Sequence, residues 1–351
     1  MKTWVFLRGA RRDGGLKVKG STERTGPPPS SNLEKNGDMW THLFSRMVEK
    51  AGVNGIIIRY GNFYKVVYCK NLVEYRLTDW SLIKDVDLII SRGGYNEYIS
   101  FLQKHQNTPH IYLGCGIRWN PFDRCVEGMK GLRVDGVLVD SEKQDNIIKD
   151  QVQTIVFPKP AADNIFYPLS DVKKQYDLVY NCFASVSIHK GGSWLALRIP
   201  NGCKVLVIGP ENKWLEAEAK TKRISVTFTG RIERKNICSI VSQARVGVVC
   251  DDGMFDSGPR VLPEFLAMGI PVIVRDCVKA DLNSYIKLLE SGMIVSDNPI
   301  EFKVALKRLS ISKMHKSVLK IYNDNFNMDR AADRLIKISK EISNAKKIYN
   351  L

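Results

Sequence analysis

The sequence predicts an α/β protein of two domains, each built on a mainly parallel sheet. Three observations carry this. Short apolar runs that end at glycine or at acidic residues alternate with helical patterns through both halves of the chain. A proline-rich stretch, residues 158–168, stands between the two series. At 351 residues the chain is also longer than one compact core fills.

Residues 3–7 read as the first strand, Thr-Trp-Val-Phe-Leu. Residues 8–36 form a long loop rich in Gly, Pro, Ser, Arg and Lys, including Gly14-Gly15; such a loop inside a domain is functional or disordered. Residues 38–51 follow as an amphipathic helix, with Trp40, Leu43, Phe44, Met47 and Val48 on one side and Gly52 as its stop. Strands are expected at 55–59, 63–68 and 88–91, the last ending in Arg92-Gly93-Gly94 before a helix over 96–105. Residues 111–113 are another strand, ending in Gly114-Cys115-Gly116-Ile117-Arg118. Glycine-rich strand ends let a ligand approach the backbone. These two either floor a cleft or are plain strand-to-helix turns. Residues 136–141 complete the first series.

The second series opens with a strand at 178–181 and a loop, 184–192, that carries Ser185, Lys190 and Gly191 before a helix beginning at 193. A lysine at the carboxyl end of a strand suits a phosphate, although a lone lysine is more often simply solvated. Strands follow at 204–208 and 226–229, the second running into Gly230-Arg231, then a helix at 236–244 and a strand at 246–250. Residues 251–274, DDGMFDSGPRVLPEFLAMGIPVIV, are the centre of the chain. An acidic loop holding Asp256 leads through Gly258-Pro259 and Arg260 into an apolar helix whose acidic residue is Glu264. Gly269 ends that helix and a buried strand begins at 271. An acid in so apolar a stretch needs a partner, and a carboxylate there can accept both hydroxyls of a vicinal diol such as a ribose. Pro263 fits only the first helical turn. Residues 299–351 are lysine-rich and helical in pattern.

Composition narrows the function classes. Hydrophobic residues at 44% and charged residues at 26% are ordinary for a globular chain. No segment is apolar enough for long enough to span a bilayer, and the start lacks the order of a secretion signal. The eight cysteines show no metal-ligand spacing and read as reduced core residues of a cytoplasmic protein. A net charge of +16 favours an acidic partner: a nucleotide-sugar, an anionic membrane surface or nucleic acid. The basic residues are spread out and no nucleic-acid module is visible, so no specific nucleic acid is expected.

Asp256-x7-Glu264 followed by Phe265-Leu266-Ala267-Met268-Gly269-Ile270-Pro271-Val272-Ile273 resembles the donor-site signature of retaining GT-B glycosyltransferases, in particular glycosyltransferase family 4. Asp256 stands where that family has a first Glu. Lys190-Gly191 resembles the family's diphosphate-holding pair, with Ser185 where an Arg is common. Gly230-Arg231 matches a turn that cups the base, and Asp163, Phe166 and Pro168 match the interdomain segment. Gly114-Cys115 stands where the family often has a sugar-contacting His.

The resemblance implies two Rossmann-like domains facing a cleft: residues 1–160 for the acceptor, 169–330 for the nucleotide-sugar, and a helix at 331–351 crossing back to the first domain. It implies a retaining transfer of a hexosyl or pentosyl group from a nucleotide-diphospho-sugar to a glycan, lipid-linked or other hydroxyl acceptor. Asp256 and Lys190 would be catalytic. Glu264, Arg260, Gly258, Gly230, Arg231, Gly191 and Ser185 would bind the donor, and Gly14, Gly15, Gly114, Cys115 and Arg118 would line the acceptor side. No Asp-x-Asp motif ends a strand, so no obligatory metal or cofactor is expected. The location expected is the cytoplasm, with peripheral contact to a membrane surface. The competing reading is a non-catalytic module of the same architecture that docks nucleic acid or anionic membrane through its basic surface.

Overall fold

The computed structural model describes residues 2–8, 31–32, 38–92, 98–114, 134–150, 153–181, 190–251, 260–276, 292–295, 298–311 and 314–349. Two sheets carry the chain. The first contains β1 (Thr3–Arg8), β2 (Asn54–Tyr60), β3 (Tyr64–Cys69), β4 (Leu72–Leu77), β5 (Leu88–Arg92), β6 (His110–Leu113), β7 (Gly136–Val139) and β8 (Thr154–Val156). Their order is β3-β4-β2-β1-β5-β6-β7-β8, parallel except where β3 pairs with β4. The second contains β9 (Tyr176–Asn181), β10 (Lys204–Ile208), β11 (Ser225–Phe228), β12 (Ala244–Val249), β13 (Val272–Arg275) and β14 (Gly292–Val295). Its order, β11-β10-β9-β12-β13-β14, is that of the doubly wound nucleotide-binding fold. The direction of winding reverses between β1 and β5 in the first sheet and between β9 and β12 in the second. Such reversals open the crevices in which open sheets bind ligands.

The helices are α1 (Met39–Ala51), α2 (Ile99–Lys104), α3 (Glu142–Ile148), α4 (Gly192–Arg198), α5 (Lys213–Lys222), α6 (Arg234–Val241), α7 (Val261–Ala267), α8 (Pro299–Ile311), α9 (His315–Asn325) and α10 (Met328–Tyr349). Helix α1 forms where the spacing of its apolar residues calls for it. Trp40, Leu43, Phe44, Met47 and Val48 are all buried, and Phe44 stacks on Phe6 of β1 with ring centroids 3.9 Å apart. Gly52, left-handed at φ 63°, returns its N–H to Glu49 and Val48 and stops the helix.

The last helix lies against α1. Ala332, Leu335 and Ile342 of α10 share one core with Trp40, Phe44 and Met47. Ile342 packs so closely on Gly136 that a Cβ there would meet its Cδ1 at 2.7 Å. Arg46 of α1 joins Asp329 at 2.7 Å and Asp163 at 2.8 Å, and Lys50 joins Asp333 at 2.9 Å. Helix α10 begins at Met328, earlier than the residue 331 expected from the sequence.

Other boundaries also differ. The helix expected over 236–244 is Arg234–Val241, because Ala244 is already the first, fully buried residue of β12. The helix expected over 96–105 is Ile99–Lys104. Among the described residues no helix is long and apolar enough to cross a membrane, and Cys69, Cys203, Cys238 and Cys250 are free thiols.

Candidate functional site

The reversal between β9 and β12 brings Lys190 and Asp251 together. Lys190 stands just before α4 on the β9 side, and Asp251 stands just beyond β12. The Lys190 Nζ lies 2.9 and 3.0 Å from the two Asp251 carboxylate oxygens. Backbone contacts fix the lysine: the Tyr180 hydroxyl donates to its carbonyl at 2.8 Å, and the Cys250 thiol donates to the same oxygen at 3.3 Å. Gly191 is left-handed at φ 74°, and a Cβ on it would lie 1.9 Å from the Cys250 carbonyl oxygen. Only glycine lets the two strand ends close on each other here. Gly192 is similarly tight, since its Cβ would meet Asn212 Nδ2 at 2.5 Å.

Helix α7 starts at the same edge of the sheet. Arg260 occupies its N-cap and is exposed. Pro263 is the third helical residue, where its missing N–H breaks no helix hydrogen bond. Glu264 follows, partly buried between Leu262, Pro263 and Phe265, which are buried. Desolvation raises its carboxyl above the usual glutamate range, and the charges of Arg260 and Arg234 act against that rise. Among the described residues no side chain hydrogen-bonds or ion-pairs with this carboxylate, so the two arginines act on it at longer range. A desolvated acid held between guanidinium groups is suited to accept hydrogen bonds from an incoming polar ligand.

Gly230 and Arg231 follow β11. Gly230 is left-handed at φ 61° and donates to the Gly209 carbonyl at 2.9 Å, tying the ends of β10 and β11 together. Among the described residues nothing lies within 4 Å of where its Cβ would be. Arg231 is exposed. Gly114 ends β6 in the other sheet, buried, with its N–H donating to Leu138 at 2.7 Å. Asp256, Gly258, Ser185, Gly14, Gly15, Cys115 and Arg118 lie outside the described residues.

The structure thus sets Lys190, Gly191, Gly230, Arg231, Arg260 and Glu264 along the carboxyl edge of one sheet, and Gly114 along that of the other. It adds two residues that the sequence reading did not single out. Asp251 was seen only as the opening of an acidic loop, although an acid ending the strand next to the one before Lys190 is a signal for an ion pair. Arg234, at the start of α6, acts on Glu264 across thirty positions of sequence and left no local trace. Among the described residues no cluster of three His, Cys, Asp or Glu side chains could hold a metal ion.

Residues 182–311 match the family model described as glycosyl transferases group 1. Comparison with curated protein sequences gives no match. Among solved structures the chain is similar to the sucrose-phosphate synthase of Thermosynechococcus elongatus, with a TM-score of 0.70 at 16% identity over 98% of this chain and 100% of that one. It is similar to AviGT4, a glycosyltransferase of avilamycin A biosynthesis, with a TM-score of 0.64 at 13% identity over 98% and 99% of the two chains. It is also similar to Anabaena HepE solved with UDP and glucose, with a TM-score of 0.64 at 11% identity over 97% and 100%. The chain thus carries two Rossmann-like sheets of the GT-B fold, and residues 182–311 of it, from just after β9 to the end of α8, carry a domain of the glycosyl transferases group 1 kind.

Proposed function

We propose that the chain is a retaining glycosyltransferase that moves a sugar from a nucleotide-diphospho-sugar to a hydroxyl acceptor. The observation that carries the reading is that an anchored lysine and a desolvated carboxylate both stand at the carboxyl edge of the second sheet. Lys190 supplies a fixed positive charge and Glu264 a diol acceptor, which are the two requirements of a nucleotide with its diphosphate. Glu264 holds the ribose hydroxyls, and the Gly230-Arg231 turn receives the base. Lys190 and Arg260 face the diphosphate, beside Gly191, Ser185 and Gly258. Asp256 contacts the transferred sugar.

In the transfer the bond between the anomeric carbon and the diphosphate oxygen breaks, the acceptor hydroxyl oxygen takes its place on the same face, and the hydroxyl proton passes to the departing diphosphate. Negative charge collects on the departing diphosphate, so the cations beside it matter most in the transition state. The neighbour solved with UDP and glucose is consistent with a nucleotide of this kind. The reaction requires no metal under this reading, because Lys190 and Arg260 carry the neutralising charge.

Thermal denaturation with the common nucleoside diphosphates tests the proposal. One of them should raise Tm in a saturable way, and Glu264→Gln should reduce the rise. If no nucleoside diphosphate stabilises the protein, while DNA or anionic lipid does so at low salt, the donor site is wrongly assigned.

A further inference from the structure

Helices α4, α5 and α8 lie side by side on one face of the second sheet. Trp194 of α4, Leu215 of α5 and Phe302, Ala305, Leu306 and Leu309 of α8 share a core with the sheet there. Phe302 meets Trp194 edge-on, with ring centroids 5.9 Å apart. Among the described residues that core includes none of the first sheet, whereas the core on the opposite face does. The three helices are therefore an outer layer of the molecule, and their far side meets solvent.

A helix that covers a core with one side ordinarily turns polar residues outward. Helix α8 carries a second apolar stripe instead. Ile300, Val304 and Ile311 are exposed at 70%, 54% and 77%. At about 100° per residue they fall within roughly 40° of one another, opposite the buried Phe302, Ala305, Leu306 and Leu309. Burial within the fold accounts for the inner stripe only. Leu197 of α4 and Trp214 of α5 add two more exposed apolar side chains on the neighbouring helices.

The outer stripe is bordered by cations. Lys303 and Lys307 stand on one side of it and Arg308 on the other, all exposed, and none forms an ion pair among the described residues. Lys213 and Lys220 of α5 are exposed too. Glu301, in the first turn, is the acid of α8. This mixture selects the partner. Nucleic acid would use the cations but leave Ile300, Val304 and Ile311 in water. A second copy packed on α8 would set these cations against their own counterparts, because both borders of the stripe are basic. An anionic bilayer suits both parts. Isoleucine and valine enter the acyl boundary, lysine and arginine stems reach the headgroup phosphates, and an indole fits the interface between them.

We propose that this outer layer, led by α8, docks the protein on the surface of an anionic lipid membrane. The helix lies in the plane of the interface, with Ile300, Val304 and Ile311 below the headgroups and Lys303, Lys307 and Arg308 among them. Leu262, Phe265 and Leu266 of α7 belong to the core on the opposite face, so the helix that carries Glu264 points away from the membrane. No residue assigned to the donor site stands on α8, and the proposal does not rest on that assignment.

The test is co-sedimentation of the full chain with vesicles of phosphatidylcholine containing phosphatidylglycerol, beside vesicles of phosphatidylcholine alone. Wild type should bind the anionic vesicles and not the neutral ones, and added salt should weaken the binding. The double variant Ile300→Ser/Val304→Ser should bind at least about tenfold more weakly. Lys303→Gln/Lys307→Gln should lose about twentyfold, since each cation near the surface contributes roughly fivefold. Leu82→Ser, at a similarly exposed position between β4 and β5, should bind as wild type does. All these side chains are on the surface, so the variants should melt with wild type. Absence of binding by wild type to the anionic vesicles, or equal binding by Ile300→Ser/Val304→Ser, overturns the proposal. So does a dimer in sedimentation velocity that the same variant turns into monomer, which would put a second copy on this face. Failure of every nucleoside diphosphate to bind would sink the donor reading and leave the vesicle results as they are.

Discussion

Lys190 has three N–H donors, and the two oxygens of Asp251 lie within 3.0 Å of its nitrogen. The ion pair leaves a donor for a ligand and holds the side chain still, which limits the entropy lost when a diphosphate arrives. Lys190→Ala should lower kcat/KM by about 3 kcal/mol, close to 10²-fold, while the free nucleotide still binds. Initial rates beside nucleotide titration check this, and near-wild-type rates in a folded variant would show the phosphate to be elsewhere. Glu264 has a pH signature of its own. Desolvation raises its carboxyl, so as pH falls it takes up a proton before an ordinary glutamate does. Nucleotide affinity should therefore drop on the acid side at a pH above the usual glutamate range. In Glu264→Gln the affinity should be weaker and flat across that window. The same slope in both proteins would assign the titration to another group.

At the scale of elements, Gly191 at the start of α4 is tightly constrained by the end of β12. In Gly191→Ala the left-handed backbone alone costs about 1–3 kcal/mol, and the new Cβ would press on the Cys250 carbonyl, which cannot swing away as a side chain could. Stability and activity should fall together, with Lys190 displaced from Asp251; an alanine variant that melts and turns over like wild type would refute this account of the turn. Elements such as β9, β10, β12 and β13 were legible in the sequence because buried parallel strands are continuous apolar runs closed by glycine or an acid. Strand β4 was not, because its pattern is inverted. Glu74 and Arg76 point inward and are buried, while Val73 and Tyr75 are half-exposed. Alternation read on polarity assigns such charges to solvent, and only the partners Arg59 and Tyr64, contributed by neighbouring strands, reverse it. Arg8 was placed in the following loop for the same reason, although it is the last residue of β1. The Lys190, Gly191 and Glu264 positions were visible because each sits next to a glycine or inside an apolar run. Asp251 and Arg234 matter only through residues distant in sequence.

At the scale of the molecule, Arg46 is a meeting point. Asp163 lies on the segment that leaves the first sheet and Asp329 on the helix that returns to it, and both bind this one guanidinium. Arg46→Ala should lower stability by about 1 kcal/mol, since these pairs are partly exposed, and should make residues 157–168 more readily cleaved by a protease at native temperature. Thermal melting together with limited proteolysis measures both, and an unchanged cleavage rate would show that the pairs do not secure the crossing.

Helix α10 is synthesised long after α1, yet its apolar side lies on that helix. Trp40, Phe44 and Met47 share a core with Ala332, Leu335 and Ile342, nearly three hundred residues later. The first sheet therefore cannot finish its core during most of synthesis. Its α1 surface stays uncovered while the residues between α1 and α10 are made, so the core of the first sheet is completed only once α10 has been synthesised.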